Sequence, residues 1–196
     1  MHGLINCSLQ LYLTDRHGAA LWKEIASEAE VPDNRFEPML PYEDAITTNI
    51  VAIASRRLQR NEADLLEDLG TYLITSSRTE VVRRLLRYGG VSFREFLYSL
   101  DELEGRVKLA VPDLEMPRLE LRTDGEQEFQ LVCTGVQVGM CYVLVGILRA
   151  LADDYGALVL LDSSHSKEGN ATITVQLLNA DHTRGRRFSL AQGVVS

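Results

Sequence analysis

A chain of 196 residues, 45% of them apolar, is long enough for one domain with a full core, or for one domain carrying a small subdomain. Its formal charge of −8, from 28 acidic and 20 basic residues, repels phosphate backbones and anionic headgroups, which excludes nucleic acid and membrane as expected partners. Basic residues gather only briefly, at Arg83, Arg84 and Arg87 and again at Arg184, Arg186 and Arg187, and both groups read as solvated faces.

In chain order, Leu4, Ile5, Ser8, Leu11 and Tyr12 follow helical spacing, and Gly18 ends or breaks that helix. Residues 19–29 continue with Leu21, Trp22, Ile25 and Ala26 on one face. Residues 31–42 carry Pro32, Pro38 and Pro41 and read as loop. Three amphipathic helices follow, marked by Ile46, Ile50, Ile53, Ala54 and Leu58, then by Leu65, Leu66, Leu69, Tyr72 and Leu73, then by Val81, Val82, Leu85 and Leu86. Gly89 and Gly90 break the chain. Ser92 with Glu95 three residues later is a capping-box pattern, and the helix it opens runs to about Lys108. After Pro112 and Pro117 the texture changes. Residues 119–122 and 129–133 read as strands joined around Asp124-Gly125, a hairpin signal. Residues 138–155 read as a helix apolar almost all round, and residues 157–161 and 171–178 as two more strands joined by a polar turn at 165–170. The expected fold is α+β: a helical N-terminal subdomain, then an antiparallel sheet with one packed helix.

The sixth helix carries an anomaly. Phe93, Phe96, Leu97, Leu100, Leu103 and Val107 share one stripe. Glu104, four residues after Leu100 and three before Val107, falls inside it and breaks the binary pattern. Either the helix frays near Gly105 and Glu104 reaches water, or Glu104 lines a cavity, where burial favours its protonated form unless a cation or donor pairs with it.

The N-terminus lacks a basic n-region, and Asn6 and Ser8 interrupt its first apolar run, which argues against a signal peptide. The longest apolar stretch, residues 138–148, is too short to span a bilayer, and His2 stands where a myristoylation signal needs glycine. Cys7, Cys133 and Cys141, an odd number without a C-x-x-C pair, fit buried free thiols in a cytoplasmic protein. His2, His17, His165 and His182 lie in segments expected to be far apart, and Tyr72, Tyr98 and Tyr142 read as core or rim. Asp153-Asp154 reads as an exposed helix end. No catalytic triad order, H-E-x-x-H, P-loop or G-x-G-x-x-G is present, and nothing argues for an enzyme.

From about residue 1 to residue 180 the chain resembles the heme nitric-oxide/oxygen-binding (H-NOX) family, which includes the heme domain of soluble guanylate cyclase. The opening Met1-His2-Gly3-Leu4-Ile5-Asn6, then Trp22 and Ile25, then Tyr42-Glu43-Asp44, stand at the family's spacing. The fullest match is Phe96-Leu97 through Leu100-Asp101 and Leu103-Glu104, with Pro112 and Pro117 eight and thirteen residues further on. The family writes F-L-x-x-L-D-x-L-H there, so the resemblance puts Glu104 in the slot of the histidine that bonds the heme iron. The family's Y-x-S-x-R motif, which holds the heme propionates, aligns with Cys133, Gly135 and Gln137. All three depart from it.

What the resemblance implies is then specific. The sensor domain covers residues 1–180, with a helical part to about 110, an α/β part over 111–180, and a C-terminal tail at 181–196. Its site positions are Glu104, Cys133, Gly135, Gln137, Pro112 and Pro117. A carboxylate is a harder donor than imidazole, and glutamine offers a propionate no charge, so heme is expected to be absent or weakly held. The expected function is a signalling sensor that regulates a separate protein by contact, a histidine kinase or a cyclic-nucleotide enzyme, with a small apolar ligand as a further candidate. The alternatives are a working heme gas sensor with Glu104, Cys133 or a displaced histidine at iron, and a structural adaptor whose pocket has filled. If a pocket remains, Glu104 needs a partner such as Gln137, a backbone N–H or water.

Overall fold

Helix α1 (Gly3–His17) starts where Nδ1 of His2 accepts the Leu4 N–H at 3.2 Å, and it stops at Gly18. The computed structural model describes residues 1–135, 139–165 and 170–186. Helix α2 (Ala19–Glu28) buries Trp22, Ile25 and Ala26, the expected face. The proline-bearing stretch holds only a 3₁₀ turn at Pro32–Asn34. Helices α3 (Asp44–Leu58) and α4 (Glu62–Thr75) follow, the latter capped by Asn61, whose side-chain oxygen accepts the Asp64 N–H at 2.7 Å. Then come α5 (Glu80–Arg87) and α6 (Phe93–Tyr98). A variant of the capping box forms at α6: Ser92 Oγ accepts the Glu95 N–H, while the Glu95 carboxylate accepts the N–H of Val91, the residue before the cap, at 2.8 Å.

The helix expected to run unbroken to Lys108 is divided. Residues Ser99–Glu102 wind as 3₁₀ before α7 (Leu103–Ala110) resumes. The tighter winding eclipses residues three apart, so Leu100 and Leu103 line up and both are buried. Burying such a side chain is worth about 1.5–3 kcal/mol, more than the roughly 1 kcal/mol net value of a backbone hydrogen bond perturbed by the change of winding. Packing therefore sets the winding.

Beyond α7, strands β1 (Arg118–Asp124) and β2 (Glu128–Thr134) form the hairpin, and Gly125 supplies its positive φ. Helix α8 (Met140–Tyr155) then leads to β3 (Leu158–His165) and β4 (Ala171–Asn179). The sheet is antiparallel throughout, in the order β1-β2-β4-β3. Residues 166–169 of the expected turn and residues 187–196 of the expected tail lie outside the described residues. No helix among the described residues is long and apolar enough to cross a membrane.

Two cores result. One gathers α1–α4 around Leu13, Ile25, Ile50 and Leu65. The other packs α5–α8 onto the sheet around Phe96, Leu97, Phe129 and Leu151. Helices α4 and α8 join them at backbone contact. A Cβ on Gly70 would lie 2.1 Å from the Val143 carbonyl oxygen, and one on Gly146 would lie 1.9 Å from that of Glu67. Only glycine permits that approach.

In the first arginine group only Arg84, 40% exposed and paired with Glu80, is on a solvated face. Arg83 and Asp154 are both buried, and the Arg83 guanidinium donates to the Asp154 carboxylate through Nε at 3.1 Å and Nη2 at 2.9 Å. Arg87 Nε stands 3.2 Å from the same carboxylate, with its guanidinium carbon 3.6 Å from the centre of the Tyr155 ring. On α5 it is Val81, expected in the buried stripe, that is 80% exposed. Asp154 repays the desolvation of the Arg83 guanidinium through a two-pronged contact. Arg186 reaches the same point, its backbone N–H donating to the Asp154 carbonyl at 2.9 Å.

Candidate functional site

The 3₁₀ turn decides where Glu104 points. In a continuous α-helix Leu100 and Glu104 would sit roughly 40° apart around the axis; with three steps wound as 3₁₀ the angle opens to roughly 100°. Glu104 therefore leaves the apolar stripe without any fraying, since α7 runs on through Gly105. Its side chain is 38% exposed, and Oε1 accepts from Lys108 Nζ at 2.6 Å. The Lys108 ammonium holds the Glu104 carboxyl below its ordinary 4.5. Of the two sequence readings, the contact with water is met but not the fraying. Among the described residues its partner is Lys108, and Gln137 lies outside them. The i,i+4 spacing of Glu104 and Lys108 was the available signal.

Pro112 follows the end of α7, and Pro117 immediately precedes β1. With Glu104 and Gly135 they line a cleft of about 300 Å³, together with Lys108, Met116 and Met140. A second cleft of about 560 Å³ adjoins it, sharing Glu104 and Met116 and reaching Asp101 and Glu120. Asp101 also ties this corner to the sheet edge, its carboxylate accepting the Leu121 N–H at 2.9 Å. Four of the six expected site positions thus meet at one place.

Cys133 does not join them. It sits on the inner face of the sheet, in register with Leu119 and Ala171, fully buried. Its Sγ lies 3.8 Å from the Leu131 carbonyl oxygen, and burial pushes its thiol up to about 12. Gln137 lies outside the described residues. Of the histidines whose side chains are described, none lines either cleft: His2 caps α1, His17 stands edge-on to Tyr12, and His182 is exposed. Among the described residues no cluster of three or more His, Cys, Asp or Glu side chains is arranged to hold a metal ion. Tyr72 is a core residue, its hydroxyl donating to Asp15 at 2.5 Å, and Tyr98 is a rim residue, half exposed and edge-on to Phe129.

A family model, Haem-NO-binding, matches residues 2–161, and the chain belongs to that family of sensor domains. Among curated relatives it is 18% identical to soluble guanylate cyclase 89Da of Drosophila melanogaster, over 93% of this chain and 28% of that protein. It is 20% identical to soluble guanylate cyclase gcy-31 of Caenorhabditis elegans, over 84% of this chain and 24% of that protein. The chain therefore spans about a quarter of the length of these relatives. Among solved structures, the unliganded Fe(II) H-NOX protein from K. algicida superimposes with a TM-score of 0.78 at 14% identity, covering 96% of this chain and 100% of that one. The Fe(II)NO H-NOX protein from S. oneidensis gives 0.74 at 15% identity, covering 91% and 100%. The α+β fold is the fold of these structures, and the family binds heme.

The residues here fit that group poorly. The position that the resemblance assigns to the iron ligand, Glu104, holds a carboxylate already committed to Lys108 at the surface. Of the positions that the resemblance assigns to the propionate clamp, Cys133 is a buried thiol whose proton is tightly held, and Gly135 has no side chain. Leu97, Leu100, Leu103 and Leu144 are buried together in the core beneath α6–α8.

Proposed function

We propose that this domain is a signalling sensor of the Haem-NO-binding family that works without heme or holds it weakly, and that it regulates a separate signalling protein by contact. The observation that carries the reading is that Glu104, which the resemblance puts in the iron-ligand slot, is partly exposed and paired with Lys108. An axial donor must release competing partners and face the iron, and this carboxylate is oriented by its lysine instead. The relatives are soluble guanylate cyclases, which favours a cyclic-nucleotide enzyme as the partner class. The packed core beneath α6–α8 favours the adaptor over the gas sensor as a second reading.

Heme reconstitution tests this. The purified domain, incubated with hemin and passed through a desalting column, is expected to show no stoichiometric Soret band. Glu104→His is expected to restore binding only in part, because Cys133 and Gly135 still give a propionate nothing to bind. A full Soret band in the unaltered protein overturns the heme-free reading.

A further inference from the structure

The two clefts that meet at Glu104 share Met116 and run from the residues after α7 to the start of β1. Their apolar lining includes Leu114, Met116, Pro117 and Met140. Two of these are methionines, whose flexible thioethers mould to varied apolar partners. The rim has the opposite character. Asp101, Glu104, Asp113, Glu115 and Glu120 line the clefts, and the cations among the lining residues are Lys108 and Arg118, so the rim carries an excess of negative charge. Glu104 is paired with Lys108, and Glu120 with Arg122. Asp113 and Glu115 are exposed and make no ion pair among the described residues.

We propose that the two clefts form one groove that receives a basic amphipathic segment of the partner protein, with lysine or arginine against Asp113 and Glu115 and apolar side chains on the methionines. The proposal rests on the reading that this domain acts by contact. Charge complementarity selects the occupant: the rim repels anionic lipid and nucleic acid, and an apolar body carrying cations satisfies floor and rim together. A small amine would occupy one cleft and leave the other rim uncompensated.

The test is fluorescence anisotropy of a labelled amphipathic Leu/Lys peptide, titrated with the full chain at low and at physiological salt. The unaltered protein is expected to bind it. Asp113→Lys with Glu115→Lys is expected to weaken binding about tenfold or more. Glu126→Lys with Glu128→Lys, exposed residues at the hairpin, makes the same change in net charge and is expected to shift binding less than about twofold. Circular dichroism checks the fold, and Asp113→Asn with Glu115→Gln replaces the reversal if it does not fold. Oligolysine of equal charge is expected to bind at least about tenfold more weakly, because it lacks apolar side chains. Equal losses in both charge reversals, equal binding of oligolysine, or displacement of the peptide by octylamine overturns the groove. These outcomes are independent of the Soret measurement, so failure here leaves the heme-free reading to stand or fall separately.

Discussion

Helix α8 has an ion pair near each end, and the two differ in kind. In its last turn, Asp154 is 2% exposed and meets Arg83 in a two-pronged contact, with Arg87 beside it. Near its first turn, Met140 lines the cleft where Glu104 and Lys108 pair in reach of water. Asp154 ties three parts of the chain together: its carboxylate holds α5 to α8, and its backbone carbonyl holds the segment at Arg186. The exposed carboxylate ties α7 only to itself. The fold is held at the end away from the candidate site. That separation lets the fold stay fixed while the residues lining the cleft vary.

The largest effect expected is at the buried end. Asp154→Ala leaves two buried guanidinium groups without their carboxylate and is expected to cost about 3–5 kcal/mol in urea unfolding. Adding Arg83→Met to an Asp154→Leu change is expected to recover part of that loss, because the charges leave together. A loss near zero in the single variant would erase the contrast between the two ends. Gly146→Ala comes next. Its Cβ would meet a backbone oxygen of α4, which cannot rotate away, and a loss of about 1–3 kcal/mol is expected in thermal unfolding. At the exposed end Glu104→Gln is expected to leave the urea midpoint at pH 7 nearly unchanged. The pH dependence sharpens this. The Glu104 carboxyl is held below 4.5 in the folded protein, so its contribution is fully present above that value and fades as pH falls through the lower folded-state value. Midpoints of the unaltered protein and of Glu104→Gln are expected to converge in that acidic window, and divergence there would contradict the sign.

Much of the fold was legible because it follows local rules. The stripes of α2 and α3, the capping box at Ser92 and Glu95, and the Asp124-Gly125 turn each report on a few neighbouring residues. The family's order and spacing brought Glu104, Pro112, Pro117 and Gly135 to one cleft. What was not legible depends on distant packing. The 3₁₀ turn at Ser99–Glu102 arises from burying Leu100 and Leu103 against the rest of the core, and no local residue announces it. Arg83 looked solvated because its partner, Asp154, is 71 residues away. A charged residue three before a buried leucine was the same kind of anomaly as Glu104, with the opposite outcome.

Hydrogen exchange with and without one equivalent of hemin tests the central claim most directly, because it reads the site rather than the ligand. The account predicts unchanged exchange rates in residues 104–117 and 140–144, while residues 150–156 stay slow in both samples. Joint slowing of 104–117 and 140–144 on adding hemin would show the group seated between them and contradict the account.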